Sequence, residues 1–523
     1  MAHNLDGVQL STIDNILKLD YQGPIREQLT NKNVLLAHIK KDTTRNSFQG
    51  LRSVIPVHTG RNVGRAFRGE GQILPAAGAQ AHKQAAFHMS YLYGRIQITG
   101  QTIAASRNDK GSFARALDLE MKGLQTDMNL TLSRCVWGDG TGILSLCCPS
   151  ATANVNTITA SNKIIRVCSA RWLEVGMQVD VIKNTGEIAS GAPGTHGHDP
   201  VTIESFTLDT ASKYGPAHVT LSGLSAAFSG SDLDAGKWGL YLYGSREMTT
   251  TVCDGIAAPA ASIWGKPVEM WGLPALVGTG NPGYDASSIS DATDGTADTY
   301  SFNRGGLGTG ATDGTQTGFM GGLDRDDSAN AFWRSNRVRS VANVSNGFDE
   351  LQEAYDLTEI EGDVEPGLLL TSHRIRRQLG KLFVAERRFG TEKTLKGGWT
   401  GVEFNNGVIV VDKHASTPGD GRDMAWFPST NAKYFTTAAN VEVAGGQSLD
   451  SVFSSIYLLK PSTIEFVVME DLAWEDTGGV IVRSGVGAAA IDQYEAFMKA
   501  YWNLAIVRPN QNSVINHVTD ART

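Results

Sequence analysis

The fold is decided by residues 51–107, which read LRSVIPVHTGRNVGRAFRGEGQILPAAGAQAHKQAAFHMSYLYGRIQITGQTIAASR. This stretch holds seven basic residues and a single acidic one, Glu70, whereas the whole chain has 46 basic and 54 acidic residues. Positive charge is therefore concentrated in one segment of an otherwise acidic protein. Complementary charges steer association between molecules and fix their register, so the segment suits a contact with another protein surface. A loop that is simply solvated is the alternative reading.

Two parts of this stretch have the features of β-strands. Residues 53–58 look extended, and residues 91–99 alternate apolar and polar side chains at the strand period of two. We predict that these two strands pair as a hairpin around a tip rich in glycine, alanine and arginine. Because an isolated two-stranded ribbon is marginally stable in water, another surface must cover it.

A long amphipathic helix is predicted for residues 112–136, which read SFARALDLEMKGLQTDMNLTLSRCV. Ser112 is a candidate N-cap, apolar residues recur at spacings of three and four, and Gly138 follows the predicted end. Arg134 falls off the apolar stripe, and Gly123 is the weak point of the helix. A helix of this length spans roughly 38 Å.

The composition is that of a folded protein with many turns. Hydrophobic residues make up 41% of the 523 residues, charged residues 19%, and there are 58 glycines. The five cysteines lack regular spacing and form no CxxC pair, which favours a reducing compartment and argues against a zinc–thiolate site. The N-terminus is not leader-like and no run of 18 apolar residues occurs, so we expect a soluble, cytosolic product. A net charge of −8 is not the footprint of a dedicated nucleic-acid-binding protein.

The rest of the chain changes character several times. Six strand-like runs between 151 and 243 predict a small barrel or sandwich inserted into another domain. Residues 277–322, rich in Gly, Asp, Thr and Ser, read as a long loop. From residue 346 onward helical and strand patterns alternate, as in an α/β lobe. Residues 493–507 predict a terminal strand that Pro509 ends.

No catalytic or cofactor motif emerges from the sequence. His196 and His198, two apart in a Gly/Pro loop, need a further metal ligand that the sequence does not place. The aspartates at 291–298 lack the spacing of a calcium loop. No phosphate loop, dinucleotide fingerprint or nucleophile elbow fits. We therefore expect a protein that is not an enzyme, with no catalytic residues, no cofactor and no metal.

The order of these segments resembles the major capsid proteins of tailed bacteriophages, which share the Hong Kong 97 fold. Residues 89–100, MSYLYGRIQITG, resemble the returning strand of that family's extended loop, and residues 112–136 resemble its spine helix. The segment from Gly322-Leu-Asp-Arg through Phe332-Trp-Arg resembles a sequence that recurs after the spine region. Residues 501–509, YWNLAIVRP, resemble a capsid C-terminus.

The resemblance implies an α+β protein of Hong Kong 97-like fold, with an N-terminal arm, an extended loop, a long spine helix, peripheral and axial domains and an inserted small β-barrel or β-sandwich. The implied divisions are an N-terminal arm (1–50), the extended β-hairpin loop (51–107), the spine helix and start of the peripheral domain (108–150), the inserted β-rich domain (151–245), a further peripheral segment with the long loop (246–345), the axial α/β domain (346–460), and late strands with a C-terminal strand returning to the core (461–523).

The implied function is a major capsid protein that self-assembles into hexamers and pentamers of an icosahedral shell around double-stranded DNA. Such a protein resides in the virion and is assembled in the bacterial host cytoplasm. Its expected partners are further copies of itself, portal, scaffolding or cement proteins, and DNA through non-specific contact, with no membrane. The expected intersubunit contacts are Arg61, Arg65, Arg68, Glu70, Lys83, Arg95, Trp333 and Arg334.

Two alternatives stay open at this point. One is an encapsulin-like compartment of the same fold with protein cargo, and the other is a β-rich glycan-binding or adhesive virion protein. Some members of the capsid family join the extended loop to a neighbour through a lysine, and Lys83 is the only lysine at residues 51–107. No sequence motif identifies its partner, so a non-covalent shell is expected.

Overall fold

The computed structural model describes a little over half of the chain. The described residues are 33–39, 52–99, 101–102, 116–138, 140, 142–146, 164–167, 170–183, 201–208, 217–222, 238–244, 246–249, 252–253, 256–257, 264–267, 269–277, 319–320, 323–325, 328–339, 348–373, 375–377, 379, 392–394, 400–415, 453–474, 482–484 and 493–519. The predicted loop at 277–322 lies outside them apart from its ends, as do Ser112, His196 and His198.

Strands outnumber helices in the described parts of the chain. The helices are α1 (Val34–Ile39), α2 (Ala116–Val136), α3 (Leu273–Leu276) and α4 (Phe348–Gly362). The strands are β1 (Arg52–Gly60), β2 (Ala81–His88), β3 (Ser90–Thr99), β4 (Ile143–Leu146), β5 (Ile164–Val167), β6 (Gln178–Lys183), β7 (Val201–Leu208), β8 (Ala217–Ser222), β9 (Trp238–Leu242), β10 (Arg246–Thr249), β11 (Val252–Cys253), β12 (Ile256–Ala257), β13 (Trp264–Pro267), β14 (Phe319–Met320), β15 (Leu323–Asp324), β16 (Asn336–Arg339), β17 (Leu368–Thr371), β18 (Glu392–Thr394), β19 (Thr400–Phe404), β20 (Gly407–Val411), β21 (Phe453–Leu459), β22 (Ile464–Trp474), β23 (Val482–Ser484), β24 (Gln493–Ile506) and β25 (Ser513–Thr519).

A mixed seven-stranded sheet forms the centre of the α/β part, in the order β16-β25-β21-β17-β20-β19-β18. β17 and β20 run parallel, while β19 and β20 are joined by a two-residue turn at Asn405 and Asn406. Asn405 has a positive φ of 49°, which asparagine tolerates better than most residues. The predicted Asn-Asn-Gly hairpin is therefore confirmed. Against this sheet α4 packs Leu351, Ala354 and Tyr355.

The C-terminal part contains one more strand than the sequence predicts. The predicted strand at 493–507 is confirmed as β24, and it ends just before Pro509. After a turn at Pro509–Gln511 the chain forms β25, which lies inside the central sheet between β16 and β21. β24 is therefore not the terminal strand. The β-branched residues of β25 were the available signal, but the preceding proline suggested a tail.

A second sheet of six antiparallel strands lies between residues 143 and 242, in the order β4-β9-β6-β7-β8-β5. Five of its strands match runs expected from the sequence, and its buried side chains form a separate hydrophobic cluster that includes Ile165, Val181 and Leu221. Where the sequence predicts a barrel or a sandwich, the described strands form a single sheet with β4 and β5 at its ends. β4 lies before residue 151, where the sequence places the start of the inserted domain. The boundaries of that domain stay a prediction.

Arg171 connects this sheet to the segment that follows β20. Its guanidinium donates to the carbonyl oxygens of Lys413 and of Ala415, the latter at 3.0 Å. The neighbouring Trp172 stacks on His414 with ring centroids 5.9 Å apart. Two guanidinium contacts to backbone carbonyls fix direction as well as distance, so Arg171 holds the turn between β5 and β6 against residues 413–415.

The long helix α2 ends where the sequence predicts, at Val136. Met128 and Leu132 of its apolar stripe are buried. Arg134 is buried as well, contrary to its position off that stripe, because it forms an ion pair with Glu269. Sequence periodicity cannot place this arginine, since its partner lies far along the chain.

The chain divides into two compact units. One comprises Met1–Asn31, Tyr93–Leu130 and Ala473–Lys499, and the other comprises Lys32–Leu92, Thr131–Leu472 and Ala500–Thr523. In the first, Gly94 of β3 lies against α2, because a Cβ at this position would sit 2.7 Å from Leu124 Cδ1 and 2.8 Å from Met128 Sδ. The second holds three hydrophobic clusters formed by described residues, among them the large one around Trp137, Trp333 and Trp502. Among the described helices, none has the length and apolar character needed to cross a membrane.

Candidate intersubunit arm

The basic stretch folds into a two-stranded antiparallel ribbon made of β1 and β2. The register runs from Arg52↔His88 to Gly60↔Ala81, with an irregularity between His58 and Gly60. The predicted pairing of residues 53–58 with residues 91–99 is wrong, because β3 pairs instead with β24. The alternation of Ala85 and Phe87 with more polar neighbours in β2 was the signal for the correct partner. The apolar–polar alternation of β2 is weaker than the alternation of β3, so the sequence pattern favoured β3 as the partner of β1.

One face of the ribbon is anchored on the body of the same chain. Ala85 and Phe87 are buried in the large hydrophobic cluster, and Ile55 and Val57 pack against it. Phe87 also makes an edge-to-face contact with Trp271, with ring centroids 5.7 Å apart. Such aromatic pairs add to the stabilisation from burial. The base of the ribbon is therefore fixed, because the hydrophobic cluster of the body covers one face of this two-stranded hairpin.

Lys83 belongs to this anchored face. Its Nζ donates to Asn330 Oδ1 at 2.5 Å, and Asn330 is buried. The side chain is half-buried. Lys83 therefore holds the ribbon to its own chain in this structure, which differs from its predicted role in contacting a neighbour.

The tip, residues 61–80, carries the predicted cationic side chains in solvent. Arg61, Arg65, Arg68 and Glu70 are all exposed, in keeping with a role in contacting another molecule. Arg95, on β3, is exposed as well. The structure thus places three of the predicted arginines together on the tip and the fourth on a different sheet.

Apolar side chains on the tip were missed by the sequence analysis. Phe67 is fully exposed at 104%, and Val63, Ile73 and Leu74 are 84%, 90% and 80% exposed. Their signal was four large apolar residues in a segment that follows neither the helical nor the strand period. A folded chain rarely leaves large apolar groups clustered in solvent unless they meet a partner.

Short-range hydrogen bonds shape the tip. The Asn62 side-chain amide donates to the Gly78 carbonyl at 2.8 Å, while its Oδ1 accepts from the Gly64 amide at 2.7 Å. A second turn forms at Gly69 and Gln72. The Gln72 backbone amide donates to the Gly69 carbonyl at 3.2 Å, and the Gly69 amide donates to Gln72 Oε1 at 3.1 Å. The tip therefore has a defined local conformation although it lacks a core.

Two predicted contact residues lie elsewhere. Trp333 is completely buried and its Nε1 donates to the Met320 carbonyl at 2.8 Å, so its assignment to an intersubunit surface is wrong. A tryptophan is large enough to serve either a core or an interface, and the sequence does not distinguish them. Arg334 is half-buried and donates through Nε to the Arg325 carbonyl. Among the described residues no three His, Cys, Asp or Glu side chains are grouped to hold a metal ion.

Comparison with known proteins finds no matching family model and no matching curated protein. Solved structures are similar at low identity. A capsid asymmetric unit of cyanophage A-1(L) is 10% identical, covering 98% of this chain and 99% of that one, with a TM-score of 0.49. The capsid of cyanophage P-SCSP1u is 10% identical, covering 98% and 96%, with a TM-score of 0.39. An encapsulin of Synechococcus elongatus is 12% identical over 36% of this chain and 55% of that chain, with a TM-score of 0.24. All three TM-scores lie below 0.5, so these likenesses carry no functional argument.

Proposed function

We propose that this chain is the major capsid protein of a tailed bacteriophage, a structural subunit that assembles into hexamers and pentamers of an icosahedral shell around double-stranded DNA. The observation that carries the proposal is the tip of the ribbon. Four large apolar side chains and three arginines stand in solvent there, on a ribbon whose base is packed into the body. This arrangement suits a rigid arm that reaches a second copy.

The apolar residues of the tip supply the driving force in this proposal. Burying a large apolar side chain that is otherwise exposed contributes roughly 1.5–3 kcal/mol. Four such residues, Val63, Phe67, Ile73 and Leu74, are available on each copy. Each copy in a closed shell both gives and receives such a contact, so the gain is repeated around every ring.

The arginines supply direction rather than most of the affinity. A cationic tip is attracted to an anionic surface, and the body of the chain has such a surface on α4. The exposed face of α4 carries Asp349, Glu353, Asp356 and Glu359, and the helix has no basic residue. Complementary charge of this kind speeds encounter and disfavours wrong registers, and salt screens it.

The further elements of the proposal follow the family resemblance. Portal, scaffolding or cement proteins would join the shell, DNA would be held by non-specific contact, and assembly would occur in the host cytoplasm. The resemblance to capsid proteins in the order of ribbon, long helix and α/β lobe supports these roles. In this reading the chain has a structural role and performs no reaction.

Negative-stain electron microscopy of the purified protein tests the proposal. We expect closed shells of uniform diameter from the unmodified chain. Discrete monomers or trimers would contradict it, and glycan binding by such species would favour an adhesive protein. Shells purified from infected cells should protect DNA from nuclease, whereas protein cargo without DNA would indicate an encapsulin-like compartment.

A charge-reversal variant tests the role of the arginines. Arg65→Glu with Arg68→Glu should prevent shell formation and leave a folded monomer, because both side chains are exposed and contribute little to the fold. Arg376→Glu with Arg377→Glu, which reverses two exposed arginines away from the tip, is the matched control. Normal particle yield from the tip variant would refute the role of charge.

A further inference from the structure

Two histidines face each other at the neck of the ribbon, where the paired strands give way to the tip. His58 of β1 and His82 of β2 are register partners, and their ring centroids lie 5.1 Å apart with planes at 57°. Both side chains are exposed. They stand on the outer face of the ribbon, since the inner face of each strand packs on the body.

Gln80 lies next to this pair. It precedes His82 by two residues, and its Oε1 is 2.6 Å from His58 Nε2. An amide oxygen can only accept, so Nε2 is the donor in this contact, and in a neutral imidazole that arrangement leaves Nδ1 as the nitrogen that can bind an ion. Histidines that bind metal ions commonly donate their other ring N–H to an oxygen in this way, which fixes the ring and its tautomer.

We propose that His58 and His82 bind a divalent transition-metal ion such as Zn²⁺ or Ni²⁺, with Gln80 as the positioning residue. The spacing of the rings carries the proposal. Metal–nitrogen bonds are about 2.0 Å and a ring centre lies roughly 1.1 Å behind its nitrogen, so two imidazoles at a tetrahedral angle have centroids about 5 Å apart. The observed separation is 5.1 Å.

Imidazole nitrogen suits zinc, nickel and copper, and discriminates against magnesium and calcium, which prefer oxygen. The remaining coordination positions face solvent, because the outer face of the ribbon is exposed. Metal binding requires neutral imidazole, so protons compete with the ion.

A bound ion would join β1 and β2 at the place where their register is irregular, between His58 and Gly60. It would therefore limit how far the tip can swing relative to the anchored part of the ribbon. The site does not depend on the proposed function, because it is built from one ribbon of one chain.

Calorimetric titration of the full-length protein with zinc chloride, and separately with nickel chloride, tests the site. We expect saturable binding that is lost in His82→Asn and in His58→Asn. It should persist in Gln84→Ala, which changes an exposed neighbour on the same face of β2. It should also persist in His196→Asn with His198→Asn, which removes two histidines that lie two residues apart in sequence. Absence of binding by the unmodified chain, or binding that survives both ribbon variants, would overturn the proposal.

Trypsin cleavage provides a second readout that reports on the ribbon itself. Zinc should slow cleavage after Arg61 and Arg65 in the unmodified protein and leave the rate in His82→Asn unchanged. Equal slowing in both proteins would show that zinc acts on the protease or at another site, and would count against a site at the neck.

Discussion

At the scale of single residues, Asp412 is the buried carboxylate at which distant segments meet. Its side chain is 1% exposed and accepts from Trp137 Nε1 at 3.2 Å and from the His414 amide at 2.8 Å. Burial raises the pKa of Asp412 above its ordinary value, while the hydrogen bonds from His414, Trp137 and the Val34 backbone and the charge of Arg171 oppose this rise without cancelling it. The ionised form is thus less favourable here than in the unfolded chain.

This raised pKa gives a pH dependence of defined sign. The folded state holds the proton of Asp412 more tightly, so its contribution to stability is complete below the ordinary pKa and declines as pH rises through the raised one. The free energy of unfolding of the unmodified chain should therefore increase relative to Asp412→Asn as the pH falls from neutral. The difference is about 1.4 kcal/mol for each unit by which the pKa is raised.

Urea unfolding of both proteins across this pH range measures the difference. Asp349→Asn, which removes an exposed carboxylate on α4, serves as the control for the loss of one negative charge. A difference between Asp412→Asn and the unmodified chain that stays flat, or shrinks toward acid pH, would contradict the assignment.

Two glycines near α2 have opposite expected responses to the same substitution. A Cβ at Gly272 would overlap the carbonyl oxygens of Cys135, Val136 and Gly138 at the end of α2, whereas a Cβ at Gly123 meets nothing within 4 Å. Gly272→Ala should destabilise the protein by about 1–3 kcal/mol through overpacking. Gly123→Ala should stabilise it by up to about 1 kcal/mol, because alanine is the better helix former. Thermal unfolding of the pair checks both signs, and a stabilising Gly272→Ala would disprove the close approach.

At the scale of elements, the ribbon separates an anchored base from an exposed tip. Replacing Phe67, Ile73 and Leu74 by alanine should reduce assembly, because the apolar area that a neighbour would bury is lost. The monomer should keep its melting temperature, since these side chains contact solvent in the isolated chain. Particle yield and thermal unfolding measure the two effects.

Val175→Ala is the control for the tip variant, because Val175 is 63% exposed and lies away from the tip, in the turn that precedes β6. It should assemble normally. If the tip variant assembles as well as the control, apolar contact at the tip does not drive association. If it unfolds at a lower temperature, the tip has a role within its own chain.

Elements with strong local patterns were predictable from the sequence. The end of α2, the turn at Asn405 and Asn406, and strand β24 all follow from periodicity or turn chemistry. The partner of β1 was not predictable in the same way, because pairing depends on which strand the body covers. Burial of Arg134 and Trp333 likewise depends on contacts between segments far apart in sequence, such as that with Glu269.

At the scale of the whole molecule, the chain combines an anchored ribbon, a cationic apolar tip and an acidic helix on one subunit. Head-to-tail contact between tip and body is heterologous, and such contacts close into rings when the geometry allows. In the proposed shell the tip of each copy would lie against a neighbouring copy, so no tip would remain in solvent. Such a contact would account for the large apolar residues that the isolated chain leaves exposed.

A cryo-electron microscopy reconstruction of the assembled particle measures this contact most directly. We predict a closed icosahedral shell in which residues 61–80 of every copy lie against a neighbouring copy, with Phe67 and Leu74 removed from solvent. A particle in which the tip stays as exposed as it is in the isolated chain, or folds back onto its own subunit, would contradict the account.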